Sequence, residues 1–218
     1  MSVAFFDLDK TLLSQNSALL WIRRRWREGA GYTGGLKTLS WLIRYSLGLE
    51  STAAPLLQAF AGFAGISRAK ILEQSKSFYE EEIRRLYRPG ALEALEQQRR
   101  EGRLCILLTS STQYLGELVA ADLGLDGCLA NVLETDVHGK LTGRVEGVVC
   151  YGRGKLQKAE AELKQLDATL EECSFYTDSY TDISVMEAVG TPVAVNPDLR
   201  LRRWAKARNT PIVDWGCP

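Results

Sequence analysis

Two carboxylates, Asp7 and Asp9, close the apolar run 3–6, and a hydroxyl, Thr11, follows. Acids beside a hydroxyl form an all-oxygen site, which suits a hard metal ion or a phosphate held next to one. A second apolar run, 104–108, ends in Thr109, Ser110 and Ser111, whose hydroxyls and backbone N–H groups lead into a helix. A helix N-terminus with free N–H groups favours an anion. Asp178 and Asp182 flank Ser179 at a third strand-to-helix turn. Asp178 there is a candidate metal ligand, whereas Asp182 also reads as an ordinary acid of a first helical turn. Lys155 follows the Gly-rich stretch 152–154 and opens a helix, offering a cation to an anionic substrate. The GxxxxGK[ST] spacing of a P-loop is absent. Each stretch alone has a plainer reading: solvated turn acids, a helix cap, a surface lysine.

What positions these residues is an alternation of strands and helices. Helices are expected over 91–101, 114–123, 155–166, 183–189 and 198–207, with strands at 3–6, 104–108, 128–130, 174–177, 192–195 and 212–213. Strands alternating with helices predict a parallel sheet covered on both faces. The apolar–polar alternation of 132–137 and 141–145 around His138-Gly139-Lys140 predicts a β-hairpin. Between the first two site stretches lies a different pattern. Capping residues at 14–17 precede a helix over 18–27, glycines mark a loop at 29–35, and helices are expected over 36–47, 53–64 and 67–87. Residues 14–88 therefore read as an all-helical insertion.

Composition excludes several function classes. Lys plus Arg equals Asp plus Glu, 27 each, so no bulk charge favours nucleic acid. His138 is the one histidine, which rules out a Ser-His-Asp triad and a multi-His metal site. The five cysteines, Cys105, Cys128, Cys150, Cys173 and Cys217, show no CxxC spacing and read as free thiols of a reducing compartment. With no signal-like or membrane-spanning run, the expected location is cytoplasmic.

In order along the chain, the DxDxT of Asp7, Asp9 and Thr11, the strand ending in Thr109, Lys155 at a helix start and the acid pair Asp178 and Asp182 resemble the four motifs of the haloacid dehalogenase-like phosphohydrolases. The insertion, the 133–143 hairpin and the strand-and-turn at 193–198 are similar to the phosphoserine phosphatase-like branch, subfamily IB. This resemblance implies a Rossmann-like doubly wound α/β core, residues 1–13 and 89–218, with a helical cap, residues 14–88. It implies a Mg²⁺-dependent phosphatase acting on a small phosphomonoester through an aspartyl-phosphate. Asp7 would be nucleophile and metal ligand. Asp9 would be general acid and base and lend its carbonyl to the metal, and Asp178 would complete the ligand set. Thr11, Thr109, Ser110 and Lys155 would hold the phosphate, with Ser179 and Asp182 supporting from behind.

The sequence also departs from that branch. Lys10 and Thr177 stand where smaller residues are common, and Ser110-Ser111 replaces Gly-Gly. Asn16 stands where phosphoserine phosphatases carry a substrate-binding Glu, and a neutral amide cannot pair with an ammonium as Glu does. Phosphoserine is thus the second choice of substrate. A phosphotransferase, or a receiver-like phospho-Asp signalling module, would also use a phosphorylatable Asp7; the module gives Asp9 and a cap no task. The insertion is rich in aromatics (Trp21, Trp26, Tyr32, Trp41, Tyr45, Phe60) and arginines. These read first as the cap's own core with snorkelling Arg, and second as a pocket for an apolar or lipid-linked phosphomonoester, with membrane-surface contact not favoured.

Overall fold

The computed structural model describes residues 2–29 and 52–218. The expected helix at 36–47 and the aromatics Tyr32, Trp41 and Tyr45 lie outside the described residues. A six-stranded sheet forms the centre, with strands β1 (Val3–Phe6), β2 (Leu104–Thr112), β3 (Gly127–Asn131), β6 (Ser174–Thr177), β7 (Thr191–Val195) and β8 (Ile212–Val213). The order is β3-β2-β1-β6-β7-β8 and every pairing is parallel. β1 is apolar at all four positions because both of its faces are covered. Ala4 and Phe6 enter one core with Leu95, Leu115 and Val119, while Val3 and Phe5 enter the other with Ala159, Leu163 and Leu201. The first core is covered by α4 (Pro89–Arg100) and α5 (Gln113–Leu123), the second by α6 (Arg153–Gln165), α7 (Ile183–Met186) and α8 (Leu199–Ala207). This is the doubly wound α/β arrangement that the alternation predicts.

The insertion leaves and re-enters side by side. Leu13 and Tyr87 form an antiparallel bridge, and the Ser14 and Arg88 N–H groups donate to the Leu86 and Leu12 carbonyls, each at 2.9 Å. Between them run α1 (Ser17–Arg27), α2 (Ala54–Ala61) and α3 (Arg68–Phe78). The expected helix over 67–87 continues past α3 to Leu86 with irregular last turns: it widens over Tyr79–Ile83 and tightens over Arg84–Leu86, while Phe78, Tyr79, Ile83 and Arg84 keep right-handed helical conformation. The chain must be extended at Tyr87 to pair with Leu13, and Pro89 holds Arg88 extended as well (φ −71°, ψ 136°). Likewise α7 is shorter than the 183–189 expected, and a tight turn, Tyr180–Asp182, precedes it.

The hairpin pairs β4 (Leu133–Thr135) with β5 (Leu141–Val145) and clasps the insertion. Gly65 N–H donates to the Leu141 carbonyl, Leu141 N–H to that of Ile66, and Arg68 N–H to that of Gly139. His138 lies exposed at its tip. All five cysteines are free thiols; burial pushes that of Cys105 up to about 11 and that of Cys150 up to about 12, so neither is a reactive thiolate. Among the described residues no helix is long and apolar enough to cross a membrane.

Candidate active site

The strand order reverses between β1 and β6, and the crevice at their carboxyl ends is where open α/β sheets bind ligands. Asp7 stands there. Its N–H still donates to the Tyr176 carbonyl at 2.9 Å, as a further rung of the sheet. The chain then opens into a wide turn, Leu8–Leu12, in which Leu13 N–H reaches back to the Leu8 carbonyl at 2.9 Å. Lys10 adopts a left-handed conformation (φ 57°), which costs a side-chain-bearing residue about 1–2 kcal/mol. Buried Arg88 braces this turn. Its Nε donates to the Lys10 carbonyl at 3.2 Å, while its other end donates to the Gly216 carbonyl and approaches Cys217 Sγ at 3.5 Å. No sequence signal singled out Arg88.

Lys155 sits on the first turn of α6, 1% exposed, and its Nζ lies 2.7 Å from both Asp7 Oδ1 and Asp182 Oδ2. Thr177, at the end of β6, donates its hydroxyl to the same Asp182 oxygen at 2.8 Å. The residue standing in place of a smaller one thus orients Asp182. The other Asp182 oxygen is buried without a hydrogen-bond partner. Asp178 is buried beside them. Burial and the neighbouring Asp7 charge hold its carboxyl well above the usual carboxylate range. Burial likewise pushes Asp7 up to about 7, against the pull of the Lys155 ammonium. Lys155 itself is raised: burial opposes its charge, but the Asp182 and Asp7 carboxylates outweigh that. Three buried acids around one ammonium leave this cleft short of positive charge.

The remaining predicted residues fall into two groups. Thr109 is buried, and its Oγ accepts the Ser111 N–H at 3.1 Å, which leaves its proton free to donate. Ser110 and Ser111 belong to β2, which runs to Thr112 rather than stopping at 108, so α5 begins later than those hydroxyls. Asn131, also unforeseen, donates to the Ser110 carbonyl and accepts from Cys150 N–H, each at 2.8 Å. It thereby ties β2 to the loop that leads to Lys155. Thr11, Ser179 and Asn16 are engaged within the protein. The fully buried Thr11 hydroxyl accepts the Asp178 N–H at 3.0 Å and links the two acidic turns. Ser179 Oγ accepts the Thr181 N–H at 3.3 Å. Asn16 caps α1 by accepting the Leu19 N–H at 3.0 Å, which uses the oxygen of its amide.

Asp9 turns the other way, toward the insertion. Its Oδ1 accepts the Ser17 N–H at 2.6 Å at the start of α1. Burial raises its carboxyl, with the Ser17 contacts opposing. A cavity of about 110 Å³ opens beside it, roofed by the insertion and floored by Asp9 and the hydroxyl-bearing end of β2.

This donor set suits a divalent cation. Asp7 and Asp178 offer hard oxygens where positive charge is lacking, and Mg²⁺ takes one or two carboxylates while keeping other oxygens from water and phosphate. Among the described residues no group of three or more acidic, thiol or imidazole side chains is placed to hold a metal ion.

The model of the haloacid dehalogenase-like hydrolases matches residues 4–187. A protein of Mycobacterium tuberculosis named phosphoserine phosphatase SerB1 is 33% identical over 98% of this chain and 71% of its own length. A histidinol-phosphatase of Neisseria meningitidis is 25% identical over 98% of this chain and 99% of its own. The crystal structure of a Bordetella pertussis protein of unknown function superposes with a TM-score of 0.87 at 26% identity, covering 99% of both chains. With a family model spanning most of the chain and its motif residues gathered at one sheet edge, the chain belongs to the haloacid dehalogenase-like hydrolases.

Proposed function

We propose that the protein is a Mg²⁺-dependent phosphatase that hydrolyses a phosphomonoester through a phosphorylated Asp7. The observation that carries this reading is Lys155, held in a buried salt bridge with Asp7 and Asp182 at the sheet's switch point. The arrangement pins a carboxylate in one orientation and sets a cation where an incoming phosphoryl group places its charge. Asp7 attacks phosphorus through the oxygen not engaged by Lys155 and displaces the alcohol. Asp9, whose raised carboxyl stands at the base of the cavity, gives its proton to the departing alkoxide and then takes one from the water that cleaves the acyl-phosphate. Thr109 donates to a phosphoryl oxygen, and Lys155 neutralises charge on the same group. Asp7, Asp178 and the Asp9 carbonyl would hold Mg²⁺, which shields the anionic phosphate from the attacking carboxylate.

We place the cap boundaries at the Leu13–Tyr87 bridge, with residues 14–88 as cap and 1–13 and 89–218 as core. Relatives of this chain are named for different substrates, phosphoserine and histidinol phosphate, so the substrate does not follow from the family. A phosphoryl acceptor other than water would use the same first half-reaction, and product analysis with added alcohols separates the two. The test of the central reading is phosphate release from phenyl phosphate with Mg²⁺. Asp7→Asn should abolish it, and turnover by Asp7→Asn would sink the mechanism.

A further inference from the structure

The cavity above Asp9 sets what the leaving alcohol can be. Its walls are Trp21, Ile22, Leu56, Phe60, Phe63 and Phe78, and its floor carries Asp9 and the β2 hydroxyls. Among the described residues that line it, Asp9 is the sole carboxyl, and none is a cation. A carboxylate on the alcohol would enter without a counterion and meet Asp9, and burying an unpaired charge is heavily penalised. The aromatic walls pack on one another, Trp21 edge-on against Phe78 at 5.1 Å and tilted against Phe63 at 6.3 Å, and such an apolar, aromatic lining suits a ring or a short apolar group.

Resting on the phosphatase reading, we infer that the substrate is a phosphomonoester whose alcohol carries one compact ring or short apolar group and no carboxylate. A phosphorylated amino acid falls outside this class.

The test is binding of phosphonates, which cannot turn over, to the whole protein with Mg²⁺, read by titration calorimetry. Benzylphosphonate should bind at least tenfold more tightly than 2-amino-3-phosphonopropionate, which keeps the ammonium and carboxylate of phosphoserine. The preference for benzylphosphonate over methylphosphonate should shrink at least fivefold in Trp21→Ala, and in the milder Phe60→Leu, with thermal melts showing that each variant folds. Equal or tighter binding of the amino acid phosphonate, no binding of either, or an unchanged benzyl-to-methyl ratio in both folded variants overturns the assignment. Phosphate release from phenyl phosphate in the same samples judges the catalytic reading separately. A benzyl preference without turnover sinks that reading alone, and turnover with an amino acid preference sinks the leaving-group assignment alone. Among esters, histidinol phosphate, with a ring and no carboxylate, should surpass O-phosphoserine in kcat/KM by at least tenfold; the reverse order overturns the inference.

Discussion

Without its ammonium, Lys155 would leave the Asp7 and Asp182 carboxylates buried around an apolar gap. Both lie 2.7 Å from Nζ, and the second Asp182 oxygen already lacks a partner. Removing one member of a buried ion pair costs about 3–5 kcal/mol. Lys155→Met should therefore lower the melting temperature by roughly 10 °C, taking about 2–4 °C per kcal/mol for a chain of this size, and should leave no measurable turnover. Lys155→Arg should not restore activity, since a planar guanidinium cannot replace an ammonium enclosed to 1% exposure. Asp9 makes the complementary case. General acid–base catalysis contributes about 10²–10⁴-fold, so Asp9→Asn should slow turnover by at least 10²-fold while leaving phosphorylation of Asp7 in place. Intact-mass detection of a trapped phospho-enzyme supports the assignment, and unchanged steady-state turnover refutes it.

Gly154 fixes where α6 begins, and hence where Lys155 stands. A Cβ at Gly154 would lie 1.9 Å from the Val149 carbonyl oxygen, a backbone atom that cannot swing aside. Gly154→Ala must push α6 away from the 148–150 loop, which Asn131 ties to β2. Turnover should fall at least tenfold, whereas Arg153→Ala, one residue earlier and exposed, should stay within twofold of the parent. Equal activity in both variants would show that α6 tolerates displacement. The Gly-rich stretch and the lysine after it were legible in the sequence, as were the strands that end at Asp7 and Asp178, because buried parallel strands read as continuous apolar runs. The wide turn at 8–12 was not legible, because its shape depends on Arg88, which meets Lys10 across 78 residues. Thr11 was expected at the phosphate, and its hydroxyl also accepts the Asp178 N–H and links two turns; residue type alone does not show which backbone N–H a hydroxyl accepts. The widening after Phe78 was not legible either, because the periodic pattern continues through it, and the helical path ends only where Tyr87 pairs with Leu13.

For the molecule as a whole, the acids that would hold a cation are a cost to folding in its absence. Asp178 is buried and its charge is disfavoured by desolvation and by Asp7, while Lys155 faces Asp7 and Asp182. A ligand that binds only the folded state adds about 2.7 kcal/mol when present at a hundred times its Kd. At about 2–4 °C per kcal/mol, saturating Mg²⁺ should raise the melting temperature by roughly 5–10 °C over EDTA-treated protein. Asp178→Asn separates this from a general salt effect. The substitution removes a carboxyl whose ionised form the metal-free fold disfavours, and a ligand from the loaded one. In EDTA the variant should melt at or above the parent, and in Mg²⁺ it should melt below it. Two curves that cross in this way require that the same carboxylate destabilise one state and stabilise the other. Parallel curves, or a Mg²⁺-induced rise of equal size in both proteins, would mean that Asp178 does not bind the cation.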